Sequence, residues 1–272
     1  MPEAATETLG LKVRDLTVRY GGVLAVDRVS LDVPATGITG LIGPNGAGKT
    51  SLFNACAGLV RPAGGSVELF GRDVSQRSPA RRAHLGLGRT FQRIELFKTL
   101  TVRENVEMGR EASFVWRRPL ALLQALPAER RETRETADRV MELCRIGDLA
   151  DRVAGSLATG EQRMVEFARV LASPARMLLL DEPSSGLSAG ERKRFAEILV
   201  EAAEELGRGV FVVEHDMDLV ARICRQVYVL NFGELIMSGT MEEALASDEV
   251  QRSYLGEPLA KQEAREREGE HA

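Results

Sequence analysis

The sequence has no apolar run approaching the ~18 residues that a bilayer-crossing helix needs, so the chain itself is expected to be soluble. It also lacks the basic and apolar stretches of a signal peptide, since Met1 to Gly10 is polar and acidic. Cysteine is scarce: Cys56, Cys144 and Cys224 lie far apart with no C-x-x-C spacing. That excludes a disulfide framework or a cysteine zinc site and fits reduced thiols in a cytosol. An excess of basic charge is missing too, with 36 Lys and Arg against 40 Asp and Glu and a formal net charge of -4. Without an overall basic field, nucleic acid is not expected as a partner. No internal repeat is visible. What remains is a chain of 272 residues, 44% hydrophobic and 28% charged, with room for one large domain or two closely packed lobes.

The apolar pattern changes character along the chain. Leu11 and Val13, then Leu16, Val18 and Tyr20, alternate with polar residues after a slip of phase, and Val29, Leu31 and Val33 alternate again. With Val67 and Leu69 these read as half-buried antiparallel strands. Ile38 to Ile42 is a short strand entering a glycine-rich turn, followed by Leu52, Phe53, Cys56 and Leu59 at helical spacing. From Thr101 the sequence turns helical and charge-rich, and Thr101 with Glu104 forms a capping-box signature. The last third alternates strands and helices. Met177 to Leu180 and Val210 to Val213 are continuous apolar runs, as strands buried on both faces require. A helix carrying Phe195, Ile198, Leu199, Ala202 and Leu206 lies between them and stops at Gly207. Val227 to Leu230 and Leu235 to Met237, joined by Asn231-Phe232-Gly233, predict a hairpin at a sheet edge.

Gly43-Pro44-Asn45-Gly46-Ala47-Gly48-Lys49-Thr50 fits G-x-x-x-x-G-K-[ST] without deviation. Glycines let the backbone curl so that its N–H groups face phosphate oxygens, and the following helix aims its positive end at the same place. Lys49 is expected on the β and γ phosphates and the Thr50 hydroxyl on Mg²⁺. Ser51, the next residue, belongs to the same nucleotide-binding set. A P-loop also needs a carboxylate at the end of a neighbouring buried strand, and Leu178-Leu179-Leu180-Asp181-Glu182-Pro183 supplies one. Asp181 would serve the metal through water, and Glu182 would polarise the attacking water as general base. An isolated histidine is more often structural than catalytic. His215, however, follows the buried strand Val210–Val213, where ligands collect in open α/β sheets.

Together these residues resemble the ATP-binding cassette (ABC) transporter ATPases, from Leu11 to Gly256. The resemblance implies an α/β P-loop NTPase core with an antiparallel β subdomain and an inserted helical lobe at about residues 95–165. It further implies that Tyr20 stacks on adenine and that Gln92 joins ATP and metal to the membrane partner, while His215 contacts the γ-phosphate. Leu157-Ala158-Thr159-Gly160-Glu161 resembles the family signature Leu-Ser-Gly-Gly-Gln, which closes over ATP held by a second cassette. Ala158, Thr159 and Glu161 depart from that pattern, and the serine hydroxyl is missing. Backbone amides and the dipole of the helix from Glu161 to Leu171 remain. The departure favours a non-identical partner cassette. Ser185-Gly186-Leu187-Ser188 ends in serine where the family often has aspartate, and Ser188 with Glu191 still forms a capping box.

Within the family, Gly88-Arg89-Thr90-Phe91-Gln92, Val213-Glu214-His215-Asp216-Met217 and Tyr254-Leu255-Gly256-Glu257 are most similar to importers of branched-chain amino acids, with urea importers close by. The implied partners are a second ABC ATPase subunit, membrane-spanning permease subunits and, indirectly, a solute-binding protein. The implied place is peripheral, on the cytoplasmic face of the cell membrane. Residues 257–272 are expected to form a charged, mobile tail. Related ATPases of DNA repair or translation usually carry coiled-coil insertions or two cassettes, whereas this sequence has one P-loop and no heptad run. Two further motifs fail. Gly186-Leu187-Ser188-Ala189-Gly190 matches the G-x-S-x-G elbow, but its serine stands well beyond the strand end. Gly86-Leu87-Gly88 starts a dinucleotide fingerprint whose third glycine is replaced by Phe91.

Overall fold

The structure is a computed structural model and describes residues 8–90, 94–117 and 127–255. The chain opens with β1 (Leu9–Tyr20), β2 (Val23–Pro34), β3 (Gly37–Ile42), α1 (Lys49–Ala57), β4 (Gly64–Leu69) and β5 (Arg72–Asp73). Then come α2 (Pro79–His84), β6 (Leu87–Arg89), α3 (Val102–Arg117), α4 (Pro127–Leu143) and α5 (Thr159–Ala172). The remainder is β7 (Met177–Asp181), α6 (Ala189–Glu205), β8 (Gly209–Val213), α7 (Met217–Ile223), β9 (Gln226–Asn231), β10 (Glu234–Gly239), α8 (Met241–Ala246) and α9 (Asp248–Leu255).

One sheet is antiparallel, in the order β2-β1-β4-β5. Its long hairpin closes at Gly21-Gly22, and the register slips between Val13 and Leu16, where Asp15 takes a positive φ of 45°. That bulge is the phase slip of the sequence pattern. The second sheet runs β10-β9-β3-β8-β7-β6. Neighbours from β9 to β6 are parallel, and β10 folds back on β9 as the expected edge hairpin. Every residue of β7 and β8 is buried. Their side chains alternate between two cores: Leu178, Leu180, Val210 and Val212 face one, and Met177, Leu179, Phe211 and Val213 the other. A period of two with both faces covered is why these runs carry no polar residue.

The second of those cores lies between the two sheets and takes in α1, with Phe53 and Phe211 rings 4.9 Å apart. The first joins the sheet to α6 and continues into α3, α4 and α5, with Phe167 against Phe195 at 5.2 Å. A third, smaller core under β9 gathers Ile42, Val220, Val229, Met241 and Val250. Thr101 caps α3 as expected, its N–H donating to Glu104 Oε2 at 2.7 Å. Leu59 departs from the sequence reading. Gly58 ends α1 in the left-handed region, so Leu59 falls beyond the helix and is half exposed. Among the described residues no helix is long and apolar enough to cross a membrane.

Candidate functional site

The sheet brings three connections together at the carboxyl ends of adjacent strands. The loop 43–48 leaves β3, Asp181 and Glu182 leave β7, and His215 leaves β8, which lies between the other two. A parallel sheet aims all its strand ends the same way, so residues distant in sequence converge there.

The glycine loop is held from two sides. The Gly233 N–H donates to Ala47 O at 2.9 Å, which ties the β9–β10 turn beneath it. Gly48 is the N-cap of α1 at φ 99°, and a Cβ there would meet Ala25 O at 2.3 Å. A residue without a side chain cannot cap, so the first N–H groups of α1 are left for an outside acceptor. Lys49 is buried, and its Nζ donates to Gly43 O at 2.6 Å and Pro44 O at 2.9 Å. Burial pulls its pKa down, while the nearby Glu182 and Asp181 carboxylates oppose that.

Asp181 is 1% exposed at the end of β7. Burial raises its pKa against the neighbouring Arg89 guanidinium, whose Nη2 lies 3.3 Å from Oδ2. Its other oxygen, Oδ1, is buried without a hydrogen-bond partner. A buried carboxylate oxygen with an open acceptor site, beside a phosphate loop bearing the exposed Thr50, fits a hydrated Mg²⁺. Glu182 takes φ 47°, strained for a residue with a side chain, and its N–H donates to Val213 O at 2.9 Å. Its Oε2 lies 4.0 Å from His215 Nδ1.

Tyr20 ends β1 with 46% exposure, so it is a surface aromatic and not a strand-core residue. Gln92, together with Phe91, lies outside the described residues. The signature-like segment stands elsewhere on the chain, at the start of α5. Leu157 is buried, and Ala158 is the N-cap without a capping side chain. Glu161 Oε2 accepts the Ala158 N–H at 2.9 Å, half of a capping box. Gly160 lies so close to α6 that a Cβ would meet Glu191 Oε1 at 2.1 Å. Ser188, the rejected elbow serine, is the N-cap of α6 and accepts the Glu191 N–H at 3.4 Å.

Sequence reasoning passed over two neighbours of the site. Arg89 reaches Asp181 because β6 pairs with β7 in parallel register. Glu214 is fully buried beside His215, with Oε1 accepting the Ser184 N–H at 2.9 Å. The only signal for either was its place next to a motif. A groove with a volume of about 620 Å³ lies between α2 and β6 on one side and α3 and α5 on the other. Ala80, Ala83, Phe97 and Met108 line it, and Phe97 and Met108 are 48% and 36% exposed.

Residues 26–185, more than half of the chain, match the family described as ABC transporter. The high-affinity branched-chain amino acid transport ATP-binding protein LivG of Salmonella typhimurium is 40% identical over 250 residues, covering 91% of this chain and 98% of that protein. The corresponding protein BraF of Pseudomonas aeruginosa is 37% identical over 249 residues, with 91% and 98% covered. Among solved structures, an ATP-binding cassette of an ABC transporter in its ADP conformation superposes with a TM-score of 0.79. It shares 28% identity, over 92% of this chain and 99% of that one.

Proposed function

The chain belongs to the ABC transporter family and is an ATP-hydrolysing cassette; on that premise we propose that it powers an importer of branched-chain amino acids. The observation that carries the reading is the convergence of Lys49, Asp181, Glu182 and His215 at the ends of β3, β7 and β8. The named activity of LivG and BraF supports branched-chain amino acids over urea as the solute class.

In this reading residues 11–256 are one cassette, with α3 to α5 in its helical lobe. ATP lies with its base against Tyr20 and its phosphates in the loop 43–50, extended by Ser51. Magnesium, held by Thr50, Gln92 and Asp181 in part through water, would neutralise charge on the β and γ phosphates. Lys49 and the N–H groups at the start of α1 hold the phosphate oxygens. Glu182 draws the proton from a water aligned on the γ-phosphorus. A bond from the water oxygen to phosphorus forms as the bond to ADP breaks. His215 steadies the γ-phosphate from beside Glu182.

The segment Leu157–Glu161 completes the site of a second cassette. Its helix N-terminus is intact, but Ala158 supplies no hydroxyl, which supports a non-identical partner. ATP bridging two cassettes shifts an open–closed equilibrium, and that motion is transmitted to a permease. The 620 Å³ groove is placed to receive it, since its walls include Arg89 and Phe97, on either side of Gln92 in sequence. The cassette then works peripherally, at the cytoplasmic face of the membrane.

Glu182→Gln tests the reading. It is expected to keep ATP affinity, lose turnover and accumulate dimers in light scattering with ATP. Hydrolysis at the wild-type rate would remove Glu182 from the mechanism.

A further inference from the structure

The roles given above to Glu182 and His215 leave a structural question: what holds a strained loop and an exposed histidine in one geometry. Two residues bracket His215 in sequence, and both are tied to the loop 182–188. On one side, Glu214 is 0% exposed. Its Oε1 accepts the Ser184 N–H at 2.9 Å and its Oε2 accepts the His215 N–H at 3.3 Å. On the other side, Asp216 Oδ2 lies 2.9 Å from Arg192 Nε, and Arg192 Nη1 donates to Leu187 O at 2.7 Å. The loop's head is fixed as well, through the Glu182 N–H on Val213 O.

Burying a carboxylate without a cation bonded to it is costly, and an apolar side chain would serve the fold better. Burial indeed pushes the Glu214 carboxyl above the usual range, opposed by its contacts with the Ser184 backbone and side chain and with His215. Its two oxygens point at two different loops, one leading from the general base and one bearing the histidine. Oε2 is 3.9 Å from His215 Nδ1, too far for a hydrogen bond, so the carboxylate acts on the backbone and not on the ring.

From this we infer that Glu214 is a positioning residue. It registers the Glu182 loop against His215, and the Arg192–Asp216 pair forms the second tie of the same clamp. The inference rests on the catalytic reading of Glu182 and His215. It adds that their mutual placement is set by a buried carboxylate that touches neither ATP nor metal.

The full chain with Glu214→Gln tests it. Glutamine keeps the shape and one acceptor for the Ser184 N–H, and turns the other oxygen into a donor facing the His215 N–H. A displaced catalytic group costs rate and not binding. The expected result is a kcat lowered about 10- to 100-fold, with KM for ATP within about twofold of wild type. The melting temperature should stay near the wild-type value. Arg192→Met, at a partly exposed position where folding is safe, should show a smaller loss of the same kind. Unchanged kcat in Glu214→Gln overturns the inference. So does a loss that follows KM and melting temperature together, or misfolding of Glu214→Gln with wild-type turnover in Arg192→Met. Full turnover by Glu182→Gln would instead sink the catalytic reading and leave the ties standing.

Discussion

Single residues around the phosphate loop are constrained by space as much as by chemistry. Gly48 combines φ 99° with a carbonyl oxygen 2.3 Å from where a Cβ would stand. Gly48→Ala must therefore move either α1 or the Ala25 backbone. We expect a loss of about 3 kcal/mol in stability, read by urea unfolding, together with loss of ATP binding. A variant that binds and unfolds like wild type would show that the loop does not need this approach. Burial acts in opposite directions on the charged pair nearby, lowering the Lys49 pKa and raising that of Asp181. Each charge lacks full solvation until an opposite charge arrives, which is the condition under which a polyanion and a divalent cation bind well.

At the scale of elements, α5 is anchored to the irregular segment 94–97 that precedes α3. Glu166 is 2% exposed, and its Oε1 accepts the Glu95 N–H at 3.3 Å while Oε2 lies 3.2 Å from Arg163 Nη1. Asn105 in α3 fixes the same segment by accepting from the Phe97 N–H at 2.9 Å and donating to Phe97 O at 3.0 Å. Burial raises the Glu166 pKa above the ordinary 4.5, outweighing the N–H and arginine contacts. The folded value exceeds the unfolded one, so the associated stability is fully present below 4.5 and is lost as pH rises through the raised value. In urea unfolding from pH 4 upward, wild type should lose stability relative to Glu166→Gln across that window. Parallel curves would show that the carboxylate titrates normally. Long or strongly patterned elements are legible in the sequence, because β7 up to Leu180 and all of β8 are apolar and both α3 and α6 begin with a capping box. The short pieces are not. Strand β6 is three residues with a central glycine, and α2, α7, α8 and α9 have six to eight residues each, too few for a helical period to repeat recognisably.

For the whole molecule, the site is assembled from three strand ends, and the sequence places those of β7 and β8 well over a hundred residues beyond that of β3. The glycine loop and the paired acids can be read directly, since each is contiguous in the sequence. The Arg89–Asp181 pair and the Glu214 clamp cannot, because strand order and register create them. One sheet thus places Lys49, Asp181 and Glu182, the proposed phosphate grip, metal carboxylate and general base, together at the ends of its strands. In the proposed reading, the α5 start serves the site of a second cassette. The most direct test is calorimetric titration of ATP with magnesium into the purified chain, beside the same titration of Lys49→Ala. The account predicts saturable uptake by the wild-type chain and at least about tenfold weaker uptake by the variant, a difference of ~1.4 kcal/mol. No uptake by the wild-type chain at millimolar ATP, or equal affinity in Lys49→Ala, would contradict it.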